Sequence, residues 1–485
     1  MPDYDAFLWF SLIISIVMLV WSCVEVGSND AANLVNAVSG ASILKRTSAV
    51  FYASVFVVLG ALCSGQVMDT VRKSIFDVGL LSSYQMISIF ISSYFINTVI
   101  LFVCSCYGLP VSTTATLVFS LAGGSLGVMW SSHIVHWDVL IQVGMAMVFS
   151  IFLSGVLGFI AQKFLRKFIG PNCRDPQVIR KHGGWIGAFS LSFLIWFLLF
   201  KGFNNLAQPL LNIADGYVFF IGIFIMFFMI ISLCICFFQE YVSRYLFDFL
   251  AIFGMFSMAF AFGQNDLANC ASPGLAIIMI FFEDVGGQVS VPWWALLGCG
   301  LLISLGMNTK RAKRVTEAEM MTASQKKSPD LYVPGWCLQI VKKFKKPSLD
   351  GVLLSQYEVE LHHQTYYDPL RACVILTVSA SVIVLASSFG LPVSTTYVNF
   401  AAVVASGWGD QVFIQESAEQ KLGRAIWVVA CWCLSILAAV VGTACMAYWV
   451  DMAGICGLMS GFLSVVVAQF YFKKISDEHD KSHFS

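Results

Sequence analysis

The chain has 485 residues, of which 58% are apolar in the wide sense and only 12% are charged, with 28 Lys and Arg balancing 28 Asp and Glu. Soluble domains carry about a quarter charged residues, so this composition excludes a soluble enzyme and points to an all-α polytopic membrane protein. Long continuous apolar runs also exclude the alternating pattern of a membrane β-barrel.

The first apolar stretch runs from 6 to 44 and is interrupted by Gly27-Ser28-Asn29-Asp30-Ala31-Ala32-Asn33. As one helix it would be about 58 Å long, too long for one crossing and too short for two with a turn. A full span over 6–26 and a following half-helix, broken at Gly27 to Asp30, are therefore expected. The residues before the span include Asp3 and Asp5 but no Lys or Arg, unlike a cleavable signal, so the span is expected to be retained. Runs at 47–66 and 82–106 follow. Gly108-Leu109-Pro110-Val111-Ser112-Thr113-Thr114 then breaks the chain, and Gly123, Gly124 and Gly127 close the segment. The stretch 107–128 has the form of a re-entrant hairpin, which must face protein or an aqueous cavity because lipid cannot satisfy irregular backbone.

Runs at 137–160, 185–201 and 215–238 occupy the middle. The connection 161–182 holds Lys163, Arg166, Lys167, Arg174, Arg180 and Lys181 against Asp175 alone. At the end of the run 246–264 the first motif returns as Gly263-Gln264-Asn265-Asp266-Leu267-Ala268-Asn269, with Pro273 in the second half-helix and Glu283-Asp284 ending it. After the run 292–306, the charged segment 308–368 carries Pro329, Pro334 and Pro347 and, up to residue 350, ten Lys or Arg against four acids. It is expected to be a loosely packed connector. Both basic connections are expected to be cytoplasmic; without interleaved aromatics or a motif they give no reason to expect nucleic acid. The run 370–389 leads into Gly390-Leu391-Pro392-Val393-Ser394-Thr395-Thr396, and runs at 424–450 and 452–472 end the chain.

About 10–12 transmembrane helices result, with both motifs repeated in the same order: an internal duplication. Residues 1–160 form the first repeat, 161–240 the basic loop and connecting helices, and 241–307 with 369–472 the second repeat, interrupted by 308–368. Most of the 15 Cys lie inside apolar runs, as small buried hydrophobes do. The seven His lie outside the apolar runs, and His362-His363 lacks ligand spacing.

A carboxylate inside the bilayer costs a few kcal/mol and generally marks an ion or substrate path. Asp30 alone could be a helix cap, but its recurrence at Asp266, with Asn29, Asn33, Asn265 and Asn269 at matching offsets, favours a site for a coupling cation. Carboxylate and carboxamide oxygens are hard ligands suited to Na⁺, and the carboxylates could instead carry protons. The triplets Ser112-Thr113-Thr114 and Ser394-Thr395-Thr396 each open a helix, where unpaired N–H groups and the positive dipole end favour an anion and hydroxyls add donors. No Lys or Arg stands beside the triplets, so an anion near two carboxylates needs accompanying cations. Cation-coupled co-transport of an oxyanion is the consequence.

At these residues the chain resembles the inorganic phosphate transporter family, which carries Gly-x-Asn-Asp-x-Ala-Asn early in each half and Pro-Val-Ser-Thr-Thr later. The stretch Gly65-Gln66-Val67-Met68-Asp69-Thr70-Val71-Arg72-Lys73 is also similar to a family stretch. The resemblance implies an inverted-topology repeat with two re-entrant helical hairpins meeting midway. It implies phosphate on the two Ser-Thr-Thr triplets and Na⁺ or H⁺ on Asp30, Asn33, Asp266 and Asn269, with Asp30 and Asp266 as the Na⁺ ligands if sodium is the coupling ion. No other cofactor is implied; dimers are known in the family, making a homodimer in a cell membrane an expectation. Ala115 and Tyr397 stand where the family often has His, and Val57 where it often has Glu. The identity of the coupling ion stays open, as does sulfate or another oxyanion as substrate. An uncoupled anion channel has no use for paired carboxylates, a membrane phosphatase needs a nucleophile with a base or metal ligands, and a sensor would bind without flux.

Overall fold

The computed structural model describes residues 2–64, 75–199, 215–282, 292–322, 324, 332–344, 365–414 and 418–483. The Gly65 to Lys73 stretch, Glu283-Asp284, His362-His363, Pro329 and Pro347 lie outside the described residues.

The described residues form fifteen α-helices: α1 (Pro2–Gly40), α2 (Arg46–Ala61), α3 (Ser83–Cys106), α4 (Thr113–Met129), α5 (Trp137–Ile169), α6 (Pro176–Phe197), α7 (Gly216–Phe237), α8 (Gln239–Phe281), α9 (Trp293–Met307), α10 (Lys310–Thr322), α11 (Gly335–Phe344), α12 (Pro369–Ser388), α13 (Thr395–Gly409), α14 (Ala418–Ala453) and α15 (Ile455–His483). Eight of these are long and apolar enough to cross a membrane, and α2, α4 and α9 are shorter apolar helices. The protein is therefore a multi-pass helical membrane protein. Its outer helices present apolar side chains outward, as on α7, where Ile225 and Met229 are more than half exposed. Lipid tails solvate such a surface.

Local chemistry sets the helix ends. Ser82 and Gln85 form a capping box at the start of α3. Asp175 with Pro176 starts α6, and Asp368 with Pro369 starts α12. The ends of α3 and α12 coincide with Gly108 and Gly390, whose φ angles of +62° and +67° suit glycine. Each is followed two residues later by a proline.

Two expectations are corrected. The helices α1 and α8 are continuous, with no break at Gly27 to Asp30 or at Gly263 to Asp266. These glycines serve close packing instead. A Cβ on Gly27 would stand 2.0 Å from the Ile303 carbonyl oxygen of α9, and one on Gly263 2.1 Å from that of Val57 on α2. The partner helices answer in kind: Gly306 lies against Val24 and Gly60 against Phe260. Within α8, Pro273 lacks an N–H, and the Tyr94 hydroxyl repairs the next rung by donating to Cys270 O at 2.6 Å and accepting from Gly274 N–H at 2.8 Å.

The second correction concerns the charged segment. Lys310–Thr322 is a helix, α10, packed against α1, with Ala312, Val315, Thr316, Glu319 and Met320 buried. Its amphipathic spacing supplies an apolar face that α1 covers, so this part is no loose connector. Arg311 donates to Glu25 at 2.8 Å and lies over the Phe102 ring. The cysteines divide: Cys23, Cys106, Cys270 and Cys299 are buried, but Cys234, Cys236, Cys433, Cys445 and Cys456 are on the surface. Apolar runs in lipid need not bury a side chain in protein.

Candidate functional site

The two acidic motifs sit in the second half of α1 and of α8, and the two hydroxyl triplets open α4 and α13. The irregular segment before α4 is enclosed by protein, and its carbonyls are satisfied there: Cys106 O by Arg314, Gly108 O by Arg424 at 2.9 Å and Pro110 O by the Trp432 indole at 2.9 Å. Buried backbone groups need such partners.

All four motif copies meet in one cluster. Asn29 donates to Val111 O at 2.7 Å and Asn265 to Val393 O at 2.8 Å, so each acidic motif grips the loop of its own half. The hydroxyls cross over. Thr396 donates to Asp30 Oδ1 at 2.9 Å and receives Asn33 Nδ2 at 3.1 Å, while Thr114 donates to Val393 O at 3.1 Å and receives Asn269 Nδ2 at 2.8 Å. Asn29 and Asn269 also donate to their neighbouring carboxylates, at 2.9 and 2.7 Å.

Thr113 stands between the two acids. Its Oγ1 is 3.1 Å from Asp30 Oδ2 and 3.0 Å from Asp266 Oδ1. One hydroxyl has one proton to give, so it serves one carboxylate at a time. Among the described residues no ion pair reaches either acid, and both are fully buried. Three carboxamide oxygens in the cluster, Asn33 Oδ1, Asn265 Oδ1 and Asn269 Oδ1, have no hydrogen-bond partner. Two carboxylates with unpartnered neutral oxygens around them form an acceptor-rich cluster, a ligand set fitted to a hard cation. An unpaired buried charge is costly, and cations remove that cost.

The hydroxyl triplets lie at the starts of α4 and α13. The Ser112 and Ser394 hydroxyls accept from Ala115 N–H and Tyr397 N–H at 3.0 and 3.1 Å. Both serines are thus helix caps, as is common for Ser at this position. The first turn of a helix leaves backbone N–H groups without intrahelical partners, and here Thr113, Thr114, Thr395 and Thr396, all buried, stand beside them. Ser105, which donates to Asn29 Oδ1 at 3.3 Å, and Tyr94 belong to the surroundings of the site but carried no motif.

A profile of the phosphate transporter family matches residues 26–318 and 362–443. An inferred phosphate permease of Pyrococcus furiosus is 26% identical over 408 residues, spanning 82% of this chain and 87% of the relative. One from Pyrococcus horikoshii is 27% identical over 425 residues, spanning 84% and 90%. The fold is similar to that of a solved structure described as the sodium-dependent phosphate transporter, with a TM-score of 0.69 at 22% identity, covering 91% of this chain and 98% of that one.

Proposed function

The chain belongs to the phosphate transporter family, and from that membership we propose that it is a secondary transporter moving inorganic phosphate by symport with Na⁺. The observation that carries the reading is the pair of buried carboxylates on either side of Thr113, ringed by unpartnered carboxamide oxygens. Asp30, Asn29 and Asn33 hold one cation and Asp266, Asn265 and Asn269 another. Each cation neutralises a carboxylate and so allows an anion to approach. Phosphate then takes the first-turn N–H groups of α4 and α13 and the unpartnered hydroxyl of Thr395, with Thr113, Thr114 and Thr396 turning their hydroxyls to it from the acceptors they now serve. Ser112 and Ser394 act through the caps that hold those turns. Two inverted repeats, 1–160 and 241–307 with 369–472, carry the matching halves, and the loops before α4 and α13 are their re-entrant tips. With every site residue nearly or wholly inaccessible, this geometry is an occluded state of an alternating-access cycle.

Na⁺ is favoured over H⁺ because the carboxamide oxygens are neutral acceptors, which ligate a metal cation and cannot themselves hold a proton at neutral pH. The name of the structural relative points the same way. Phosphate is favoured over sulfate by chemistry: protonated phosphate oxygens can donate to a carboxylate, whereas sulfate has no proton to give.

The test is labelled phosphate uptake into proteoliposomes under an imposed Na⁺ gradient, a proton gradient or neither, with excess sulfate as competitor. Na⁺-driven, sulfate-resistant uptake is expected. Uptake driven only by protons would overturn the Na⁺ assignment, and sulfate flux without phosphate flux would overturn the substrate.

A further inference from the structure

A groove of about 540 Å³ opens between α1, α3 and α15 and is closed at one end by the start of α10. The proposed co-transport uses none of the residues that line it. Its wall divides by chemistry. Trp21 on α1, Phe102 on α3, and Val466 and Phe470 on α15 make an apolar side. Lys310, Arg311 and Arg314 on α10 and Lys473 on α15 make a basic end, against Glu25 as the one acid in the lining.

These cations are not equally engaged. Arg311 donates to Glu25 at 2.8 Å and lies over the Phe102 ring, 4.2 Å from its centroid, while Arg314 donates to Cys106 O. The acid is thus already answered. Among the described residues no ion pair engages Lys310 or Lys473, and both are exposed. A second, independent group points to the same kind of ligand. Gln469 also lines the groove, is only 8% exposed, and its Nε2 has no hydrogen-bond partner. A buried donor without an acceptor is costly, so this amide and the two lysines together call for an anionic oxygen.

The apolar side decides what carries that oxygen. A dissolved oxyanion would fill the basic end and leave Trp21, Val466 and Phe470 uncovered. A phospholipid sets a phosphate at the basic end and lays an acyl chain along the apolar side. Leu463, Val467 and Phe470 are each more than half exposed, so α15 faces the hydrocarbon and the groove is reached from it. The excess of Lys and Arg between 308 and 350 assigns the α10 end to the cytoplasmic side, whose leaflet supplies anionic lipid. The groove also adjoins α1 near its acidic motif: Thr309 lines it, and its hydroxyl lies 2.9 Å from that of Ser28.

We propose that this groove binds one anionic phospholipid, with the headgroup phosphate on Lys310, Lys473 and Gln469 and an acyl chain against Trp21, Val466 and Phe470, and that the bound lipid braces α10 against α1. The site stands independently of the co-transport reading and is measured without transport. The experiment follows lipid retained per protomer by native mass spectrometry, together with the rise in unfolding temperature. It uses the full chain, delipidated in a neutral detergent and titrated with phosphatidylglycerol, phosphatidylcholine or inorganic phosphate. Four proteins are compared: wild type, the Lys310→Gln and Lys473→Gln double variant, Gln469→Leu, and a charge-matched control on α5 with Lys163→Gln and Lys167→Gln.

The wild type is expected to retain one phosphatidylglycerol and no phosphatidylcholine. Each Lys facing an anionic headgroup strengthens binding roughly fivefold, so the Lys310 and Lys473 variant should bind phosphatidylglycerol roughly 25-fold more weakly. Gln469→Leu should bind it several-fold more weakly, and the α5 control as wild type does. Equal retention of phosphatidylcholine would overturn the proposal, as would an unchanged affinity in the Lys310 and Lys473 variant or in Gln469→Leu. An equal loss in the α5 control would reduce the effect to general attraction between a basic surface and an anionic lipid and overturn the site. A stabilisation by inorganic phosphate that the Lys310 and Lys473 variant loses would give the basic end to a soluble anion and likewise overturn the lipid.

Discussion

Replacing Thr113 by Val exchanges one hydroxyl for a methyl group of similar volume at the point where the two acids meet. In the wild type Oγ1 is 3.1 Å from Asp30 Oδ2 and 3.0 Å from Asp266 Oδ1, and it accepts from Asn269 Nδ2 at 3.2 Å. Its single proton makes one hydrogen bond to a charged group at a time, worth about 1.5–3 kcal/mol. Since about 1.4 kcal/mol is tenfold, coupled uptake at limiting phosphate and Na⁺ should fall about 10- to 100-fold. The sequence places Thr113 with the anion, which predicts a larger loss of phosphate affinity than of cation affinity. The structure sets its hydroxyl on both carboxylates, so the Na⁺ dependence should shift as well. Initial rates in proteoliposomes, titrated separately in phosphate and Na⁺, measure both, with Thr113→Ser as the variant that restores the hydroxyl. Uptake by folded Thr113→Val within about threefold of wild type, a difference under 1 kcal/mol, would refute the reasoning.

Three further outcomes are expected. Asp266→Asn or Asp30→Asn should abolish Na⁺-driven uptake while leaving a monodisperse protein, and normal gradient-driven uptake in both would remove the acids from the ion site. Gly263→Ala should lower the yield of folded protein sharply, because its Cβ would fall 2.1 Å from Val57 O; Gly222→Ala, which meets nothing within 4 Å, is the control in size-exclusion chromatography. Arg166→Leu should lower the unfolding temperature by leaving the Asp368 and Asp410 carboxylates unpaired where Arg166 contacted both, a loss of about 3 kcal/mol. Burial raises the Asp410 pKa, but the Arg166 guanidinium outweighs it and holds the carboxyl below its usual range. The stabilisation from this pair is therefore present above the ordinary carboxylate pKa of about 4 and is lost as pH falls further, which a pH series of melting curves checks.

Much of this protein was legible in its order of residues. Apolar length marked the crossing segments, because a bilayer imposes a fixed span on helices whatever their neighbours. The duplicated motifs also named in advance the polar residues that cluster at the centre, since Asn, Asp and Thr in apolar helices are retained only where they find partners. Tertiary packing decided the rest. Gly27 and Gly263 looked like helix breakers in one dimension, but against the backbones of α9 and α2 they are points of closest approach, and α1 and α8 run on unbroken. Ser112 and Ser394 shared a motif with the threonines, yet hydrogen-bond geometry assigned their hydroxyls to helix caps. Glu319 carried no signal at all in a charged segment. Its placement between Asn36 and Asn399 depends on α10 packing along α1, a contact between residues nearly three hundred positions apart that no local pattern encodes.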